Sequence, residues 1–287
     1  MTKITPQLVK ELREKTGAGM GDCKKALEEN DCDMKQAIEY LRKKGAASAA
    51  KRADRSANEG IIDAKTSADY RNAVILELNC ETDFVARNEG FSQYASTLTD
   101  AVLDSGVKTV EELMALSYKG DTIQGMHNEI LAKLAENIQV RRFETLRDGF
   151  ITSYIHPGSK LAVLLEVTDT DFSDEAKSKL RDIAMQIAAM NPAFIDRNSV
   201  SEATLAKEKE IYIEQAINEG KKQDIAEKIA EGRIGKFFQE SCLVEQVFVK
   251  DSKMVVGDIL KQLKEDTGKD IKVLNFRRYF LGESLED

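Results

Sequence analysis

The chain has no tryptophan, two histidines, three prolines and four cysteines among its 287 residues, and each scarcity removes a class of function. His127 and His156 stand far apart, with no cysteine or carboxylate at metal-ligand spacing, which argues against a zinc site. Cys23, Cys32, Cys80 and Cys242 form no CxxC pair, and a chain this long needs no disulfide staples, so they read as small buried hydrophobes in a reducing compartment. There is no GxSxG, no GxxxxGKS/T and no GxGxxG after a strand, so hydrolase, phosphate-loop and dinucleotide readings lack their parts. The opening MTKITPQLVKEL has no apolar signal core, and the longest apolar runs, such as Leu161 to Leu165, are too short to span a bilayer. The expectation is a cytoplasmic protein.

What is abundant is charge. Charged residues make up 32% of the chain with a net charge of −8, so no overall attraction draws it to nucleic-acid backbones. The length exceeds one ordinary domain, and two or three compact units are expected.

Apolar residues recur at helical spacing from Thr5 to about Lys44: Leu8 and Leu12, Cys23 and Leu27, then Ala37, Ile38 and Leu41. This predicts three short helices in one small bundle, residues 1–45. Thr5 is placed to cap the first with Pro6 behind it, Gly17 to end it, Asp22 to start the second, and Asp33 with Gln36 to box the third. The stretch TGAGMGDCKK from Thr16 to Lys25 joins two helices and lacks the Lys-Ser/Thr pair of a phosphate loop. It reads as an interhelical turn with Met20 at its tip, either core filler or a soft contact for an apolar groove. AASAAKRADRSANEG follows Gly45, and its helix-forming composition without an apolar face predicts a partly helical linker over 46–57.

Beyond the linker the chain repeats itself. EGIIDAK, a turn at Ser67 to Asn72, AVILELN, TDF and a helix are followed by DGFITSY, a turn at His156 to Ser159, LAVLLEV, a second TDF and a helix. Each copy has a late third strand, IQVRRFETL from Ile138 and IKVLNFRRYFL from Ile271. The fold class is therefore α+β: two related subdomains, each a three-stranded antiparallel sheet backed by helices. The first spans 58–147; the second spans 148–195 and 241–287, interrupted by an insertion at 196–240. There, Leu205, Ile211, Ile213 and Ile217 lie on one charged helix and Ile225, Ile229 and Ile234 on another, with a turn at Gly220, which predicts an antiparallel helical hairpin.

Four segments together resemble one family, elongation factor Ts: LVKELREKTGAGMGDCKKAL from Leu8, NCETDFVARNEGF from Asn79, SYIHPGSKLAVLLEV from Ser153 and AEKIAEGRIGKFF from Ala226. They span almost the whole chain in the family's order. The resemblance implies a ubiquitin-associated-like N-terminal bundle, a core of two related subdomains and an inserted coiled-coil hairpin. It implies a translation elongation factor that performs guanine nucleotide exchange without bond chemistry and needs no cofactor of its own. The implied partner is elongation factor Tu with GDP and magnesium.

The resemblance further associates Thr82, Asp83, Phe84 and Val85 with magnesium dislocation, Phe84 acting as a wedge between helices of the partner's nucleotide domain. It places Arg13, Met20 and Lys24 against a helix of that domain and His156 near its phosphate side. Two positions depart from the family pattern: Gly21, where a second methionine is expected, and Val247, where proline is expected. From the residues alone, Thr82 or Asp83 could equally be a helix cap with Phe84 in the subdomain's own core. At the second TDF, Ser173 or Asp174 is read as the cap and Phe172 as locally packed. Two other readings stay open here: an adaptor that captures a helix or small protein and assembles through its hairpin, and a thiol activity at Cys23 or Cys80.

Overall fold

A strand buried on both faces cannot alternate apolar with polar residues, and AVILEL and LAVLLEV do not alternate. Both turn out to be central strands. The computed structural model describes residues 4–16, 18–50, 55–168 and 171–284; Gly17, Thr170 and positions 51–54 of the expected linker lie outside these.

The chain opens with α1 (Pro6–Thr16), α2 (Met20–Glu29) and α3 (Met34–Ala50), packed around Leu12, Cys23, Ala26, Leu27 and Ala37. Thr5 Oγ1 accepts from the Leu8 N–H at 3.2 Å, capping α1 ahead of Pro6. Asp22 does not begin α2. The helix starts two residues earlier at Met20, with extended Gly19 in the cap position and Asp22 in the first turn, where its charge complements the helix dipole. Past Lys44 α3 runs on to Ala50, so the described start of the expected partly helical linker is helical and continuous with the bundle, one glycine being outweighed by the alanines that follow.

The first copy comprises β1 (Glu59–Thr66), β2 (Ala73–Cys80), α4 (Asp83–Ala86), α5 (Glu89–Ser105), α6 (Val110–Ala115), a small hairpin of β3 (Ser117–Tyr118) and β4 (Asp121–Thr122), α7 (Ile123–Leu134) and β5 (Gln139–Leu146). The second contains β6 (Phe150–Ile155), β7 (Leu161–Val167) and α8 (Asp174–Met190), then α9 (Glu202–Asn218) and α10 (Gln223–Ser241) of the insertion. It closes with β8 (Val247–Phe248), β9 (Asp251–Val255), α11 (Val256–Thr267) and β10 (Val273–Phe280). The two main sheets are antiparallel with orders β1-β2-β5 and β10-β7-β6, which makes the molecule α+β.

Each sheet covers its own helices with one face and the other sheet with the opposite face. Val74, Leu76 and Leu78 of β2 join Phe91, Leu98 and Val102 of α5, while Val163, Leu165 and Val167 of β7 join Leu180, Ile183 and Ile187 of α8. The alternate residues, Ala73 and Ile75 of β2 and Ala162 and Leu164 of β7, meet between the sheets together with Ile62, Ile151 and Tyr279. The two copies match residue for residue at this junction. Ile62 donates its N–H to Ser159 O at 2.6 Å, and its counterpart Ile151 donates to Tyr70 O at 2.7 Å. Gly60 and Gly149 also correspond: a Cβ on either would lie within 2.2 Å of the carbonyl oxygen of Leu78 or Val167, so no other residue fits there.

Both third strands carry a bulge, at the step opposite Glu77/Leu78 in β5 and at Val273/Asn275 in β10. The first has a use. It sets Arg141 and Arg142 on the same carboxylate, fully buried Glu77, at 2.9 and 2.8 Å. Gly282 N–H also donates to Glu77, at 3.0 Å, so the C-terminal turn is pinned to the first sheet.

In the first core, Tyr94 OH lies 2.9 Å from His127 Nδ1. Burial, offset in part by a hydrogen bond to the Ile138 backbone, holds the His127 pKa down at about 4 against an ordinary 6.5. The folded state therefore keeps a neutral imidazole while the unfolded chain gains a proton below pH 6.5. Stability is complete above that pH and falls as the pH drops toward 4, by about 2 kcal/mol between pH 7 and 5 from this residue. Denaturant titrations at the two pH values, on the wild type and on His127→Phe, check it: an equal fall in the variant would rule His127 out.

The hairpin turns at Gly220 (φ 84°) as expected, and its most deeply buried residues are alanines. Ala216, Ala226 and Ala230 are fully buried between α9 and α10, whereas Ile211, Ile217 and Ile225 stand exposed. Leu205, Ile213, Ile229 and Ile234 are half-buried beside the alanines. The base is stapled: Ala193 and Phe194 N–H both donate to Ser241 O at 3.0 Å, and Arg197 grips Glu245 with two N–H groups while lying 4.6 Å over the Phe238 ring.

Candidate functional site

After Cys80, β2 ends and the chain turns directly into a helix. Thr82 is extended (φ −126°), and its Oγ1 accepts from the Val85 N–H at 3.4 Å, so Thr82 is the cap and Asp83 the first residue of α4. On so short a helix the inward side is taken by Val85 and Ala86, both buried in the first core. Phe84 consequently points out, with 84% of its surface exposed. The alternative in which Phe84 fills its own subdomain's core does not hold. Asp83 flanks the ring and pairs with Arg87 at 3.1 Å.

The second copy shows what the same tripeptide does when it is structural. Phe172 precedes the cap, Ser173, whose side chain accepts from the Ala176 N–H, and so its ring turns inward. It packs edge-on against Phe150 at 4.7 Å between centroids, and Phe150 is itself stacked on Tyr70 at 4.8 Å. The first copy has Ile61 where the second has Phe150, and offers Phe84 no such aromatic bed. Phe172→Ala is expected to cost about 3 kcal/mol of stability through the lost ring and the cavity left behind. Denaturant unfolding would show it, and an unchanged midpoint would contradict the packing role.

His156 is exposed in the β6–β7 turn with Nδ1 3.0 Å from Tyr154 OH. The same turn is joined to β1 by Lys160 and Glu59 at 2.7 Å, and Glu59 is paired with Cys80. The fold thus brings His156 and the Thr82–Val85 element to one end of the paired sheets. Arg13 on α1 and Met20 and Lys24 on α2 are all exposed, so Met20 is not core filler; Lys24 lies 3.8 Å from Glu28. The bundle reaches the core through α3, which packs against α7. Val247 is exposed in β8, and nothing packs within 4 Å of where a Cβ on Gly21 would stand.

Glu81, Glu136 and Asn137 escaped the sequence reading. Glu136 Oε2 accepts from the backbone N–H groups of Glu81 and Thr82 at 3.1 and 3.0 Å, and its Oε1 accepts from Thr82 Oγ1 at 2.6 Å. In return Glu81 Oε1 accepts from the Asn137 N–H at 2.7 Å. The acid before the third strand was visible in AENIQV, but nothing local ties it to a turn more than fifty residues earlier.

Thiol chemistry finds no support in the cysteines. Burial pushes the Cys80 thiol up to about 12 and the Cys242 thiol up to about 11, and it raises that of Cys23. A thiolate would be disfavoured at all three. Among the described residues no group of three His, Cys, Asp or Glu side chains is placed to hold a metal, and no helix is long and apolar enough to cross a membrane. The prominent feature is convex, an aromatic ring on a stiff turn, which suits insertion into another macromolecule better than capture of a small molecule.

The family described as elongation factor TS matches residues 81–283. Elongation factor Ts of Chloroherpeton thalassium is 46% identical over 289 residues, covering 99% of this chain and all of the relative. That of Clostridium novyi is 46% identical over 288 residues, covering 99% and 94%, and that of Prosthecochloris aestuarii is 46% identical over 288 residues, covering 98% and 100%. With matches of this extent at both levels, the chain belongs to the elongation factor Ts family.

Proposed function

We propose that this protein is a guanine nucleotide exchange factor for elongation factor Tu: it binds the GDP-loaded partner, loosens its hold on magnesium and phosphate, releases GDP and leaves when GTP rebinds. The observation that carries this reading is the exposed Phe84 ring on a capped, buried-backed turn. A GTPase holds its nucleotide through an octahedral magnesium shell and a phosphate loop with adjacent helices, and weakening either grip speeds release. Phe84 is the wedge that enters between helices of the partner's nucleotide domain, with Thr82 and Val85 holding the turn. Asp83 disturbs the magnesium side electrostatically.

His156, at the same end of the sheets, faces the phosphate side. Arg13, Met20 and Lys24 dock the ubiquitin-associated-like bundle of residues 1–45 on a helix of the same domain. The coiled-coil hairpin of α9 and α10 offers its exposed Ile217 and Ile225, near the tip, to a second copy of the chain. No bond is made or broken. Because coupling between two ligands is reciprocal, a factor that lowers nucleotide affinity must bind empty elongation factor Tu more tightly than loaded Tu, so GTP rebinding expels it.

The test is release of a fluorescent GDP analogue from purified elongation factor Tu, followed by rapid mixing with and without this protein. Faster release, saturating with protein concentration, is expected. Binding with no change in release would leave an adaptor in its place.

A further inference from the structure

We propose that Glu136 is the positioning residue for the Phe84 ring, an inference that rests on the reading of Phe84 as the wedge. A ring with 84% of its surface exposed takes no orientation from contacts of its own. Its direction is set by the backbone of the turn alone. On one side that backbone is anchored by Val85 and Ala86, which are buried in the first core. On the other side the β1–β2 ladder stops at the Glu59–Cys80 pair, and the next two N–H groups, of Glu81 and Thr82, have lost their strand partners.

Two such donors left to water would allow the turn to open and close freely. Here a single carboxylate oxygen takes both, at 3.1 and 3.0 Å, and the second oxygen takes the Thr82 hydroxyl at 2.6 Å. Three hydrogen bonds to an ionised acceptor are stronger than the neutral bonds of an ordinary turn.

The carboxylate is itself rigidly carried. Glu136 follows the left-handed cap Ala135 (φ 60°) of α7, and Asn137 next to it is buried, its backbone N–H bonded to Glu81 and its side-chain amide donating to Arg55 O at 2.7 Å. The two loops are therefore cross-linked in both directions, each supplying an acid to the other's backbone. Since α7 also packs on α3, Glu136 joins the turn that presents Phe84 to the helix that receives the bundle.

A group that orients a wedge acts on the rate of the step the wedge drives, more than on how tightly the two proteins meet. The experiment compares full-length wild type, Glu136→Ala, Glu136→Gln, Phe84→Ala and the double variant Phe84→Ala/Glu136→Ala, mixed with elongation factor Tu loaded with the fluorescent GDP analogue. Glu136→Ala is expected to lower the maximal release rate about tenfold and to raise the half-saturating concentration by less than about threefold. Glu136→Gln recovers most of the rate, because its amide oxygen still accepts from both N–H groups and its NH₂ can donate to Thr82 Oγ1. The double variant is no slower than Phe84→Ala, since Glu136 acts only through the ring. Amide hydrogen exchange at Glu81 and Thr82 is fast in Glu136→Ala and slow in Glu136→Gln, which reads the clamp directly even if the alanine variant is less stable.

Wild-type rates in Glu136→Ala beside a slow Phe84→Ala would overturn the clamp and leave the wedge standing. A fast Phe84→Ala would overturn the wedge instead. Full additivity in the double variant would show that Glu136 acts elsewhere and would also overturn the proposal.

Discussion

Phe84→Ala is expected to leave the protein folded and to remove most of the proposed acceleration of GDP release. The two halves of this result have separate causes. Because the ring is exposed and covers nothing, its truncation removes no internal packing, and the melting temperature stays close to that of the wild type. In the proposed complex, burial of the same ring would supply about 1.5 to 3 kcal/mol toward holding a displaced helix in the partner. Losing that much slows the step it drives by roughly ten- to a hundredfold, while weak binding through the remaining surface persists. Stopped-flow release and thermal unfolding on the same preparations separate the effects. Equally fast release by the variant would move the active element elsewhere, and a collapsed melting temperature would mean the ring packs in solution after all. Phe172→Ala is the matched control, expected to lose stability and keep exchange nearly intact.

Glu77→Ala carries the largest expected cost in stability, about 3 to 5 kcal/mol. The fully buried carboxylate meets Arg141, Arg142 and the Gly282 N–H. Removing it leaves two mostly covered guanidinium groups with only their contacts to Glu283, one of them lying 3.9 Å over the Tyr279 ring. The C-terminal turn loses its anchor as well. Urea titration of Glu77→Ala would measure the loss, with Glu77→Gln falling between it and the wild type because it keeps acceptors but not the charge. A change below about 1 kcal/mol would mean that the arginines find solvent at little cost.

Most of the architecture could be read from the residues because it rests on local patterns. The repeat, the two central strands and the Ser67 to Asn72 turn follow from spacing and punctuation, and so does the break at Gly220. Misreadings arose where a neighbour decides. Asp22 is a good cap in isolation, but Gly19 already occupies that place one turn earlier. The isoleucines of the hairpin suggest a packing face, yet Ile211, Ile217 and Ile225 stand exposed while Ala216, Ala226 and Ala230 are the most deeply buried, and only the folded pair shows it.

The candidate site divides in the same way. The TDF tripeptide occurs twice, and nothing within it says which phenylalanine is exposed. The outcome depends on whether the cap comes before the ring, at Thr82, or after it, at Ser173, and on a cross-strand neighbour that is isoleucine in one copy and phenylalanine in the other. Glu136 belongs to contacts of long sequence separation, which single-sequence periodicity does not encode.

The reciprocal bonds between the two sheets, Ile62 to Ser159 and Ile151 to Tyr70, have the form of an isologous contact, in which residue i of one unit meets residue j of the other and j meets i. Such a contact is the signature of a two-fold axis, yet here both halves lie on one polypeptide. A lone copy of the unit would expose the face formed by Ala73, Ile75 and their neighbours, and its cheapest cover would be its own twin. The junction therefore has the geometry of a symmetric homodimer interface carried within a single chain, and it closes without depending on protein concentration.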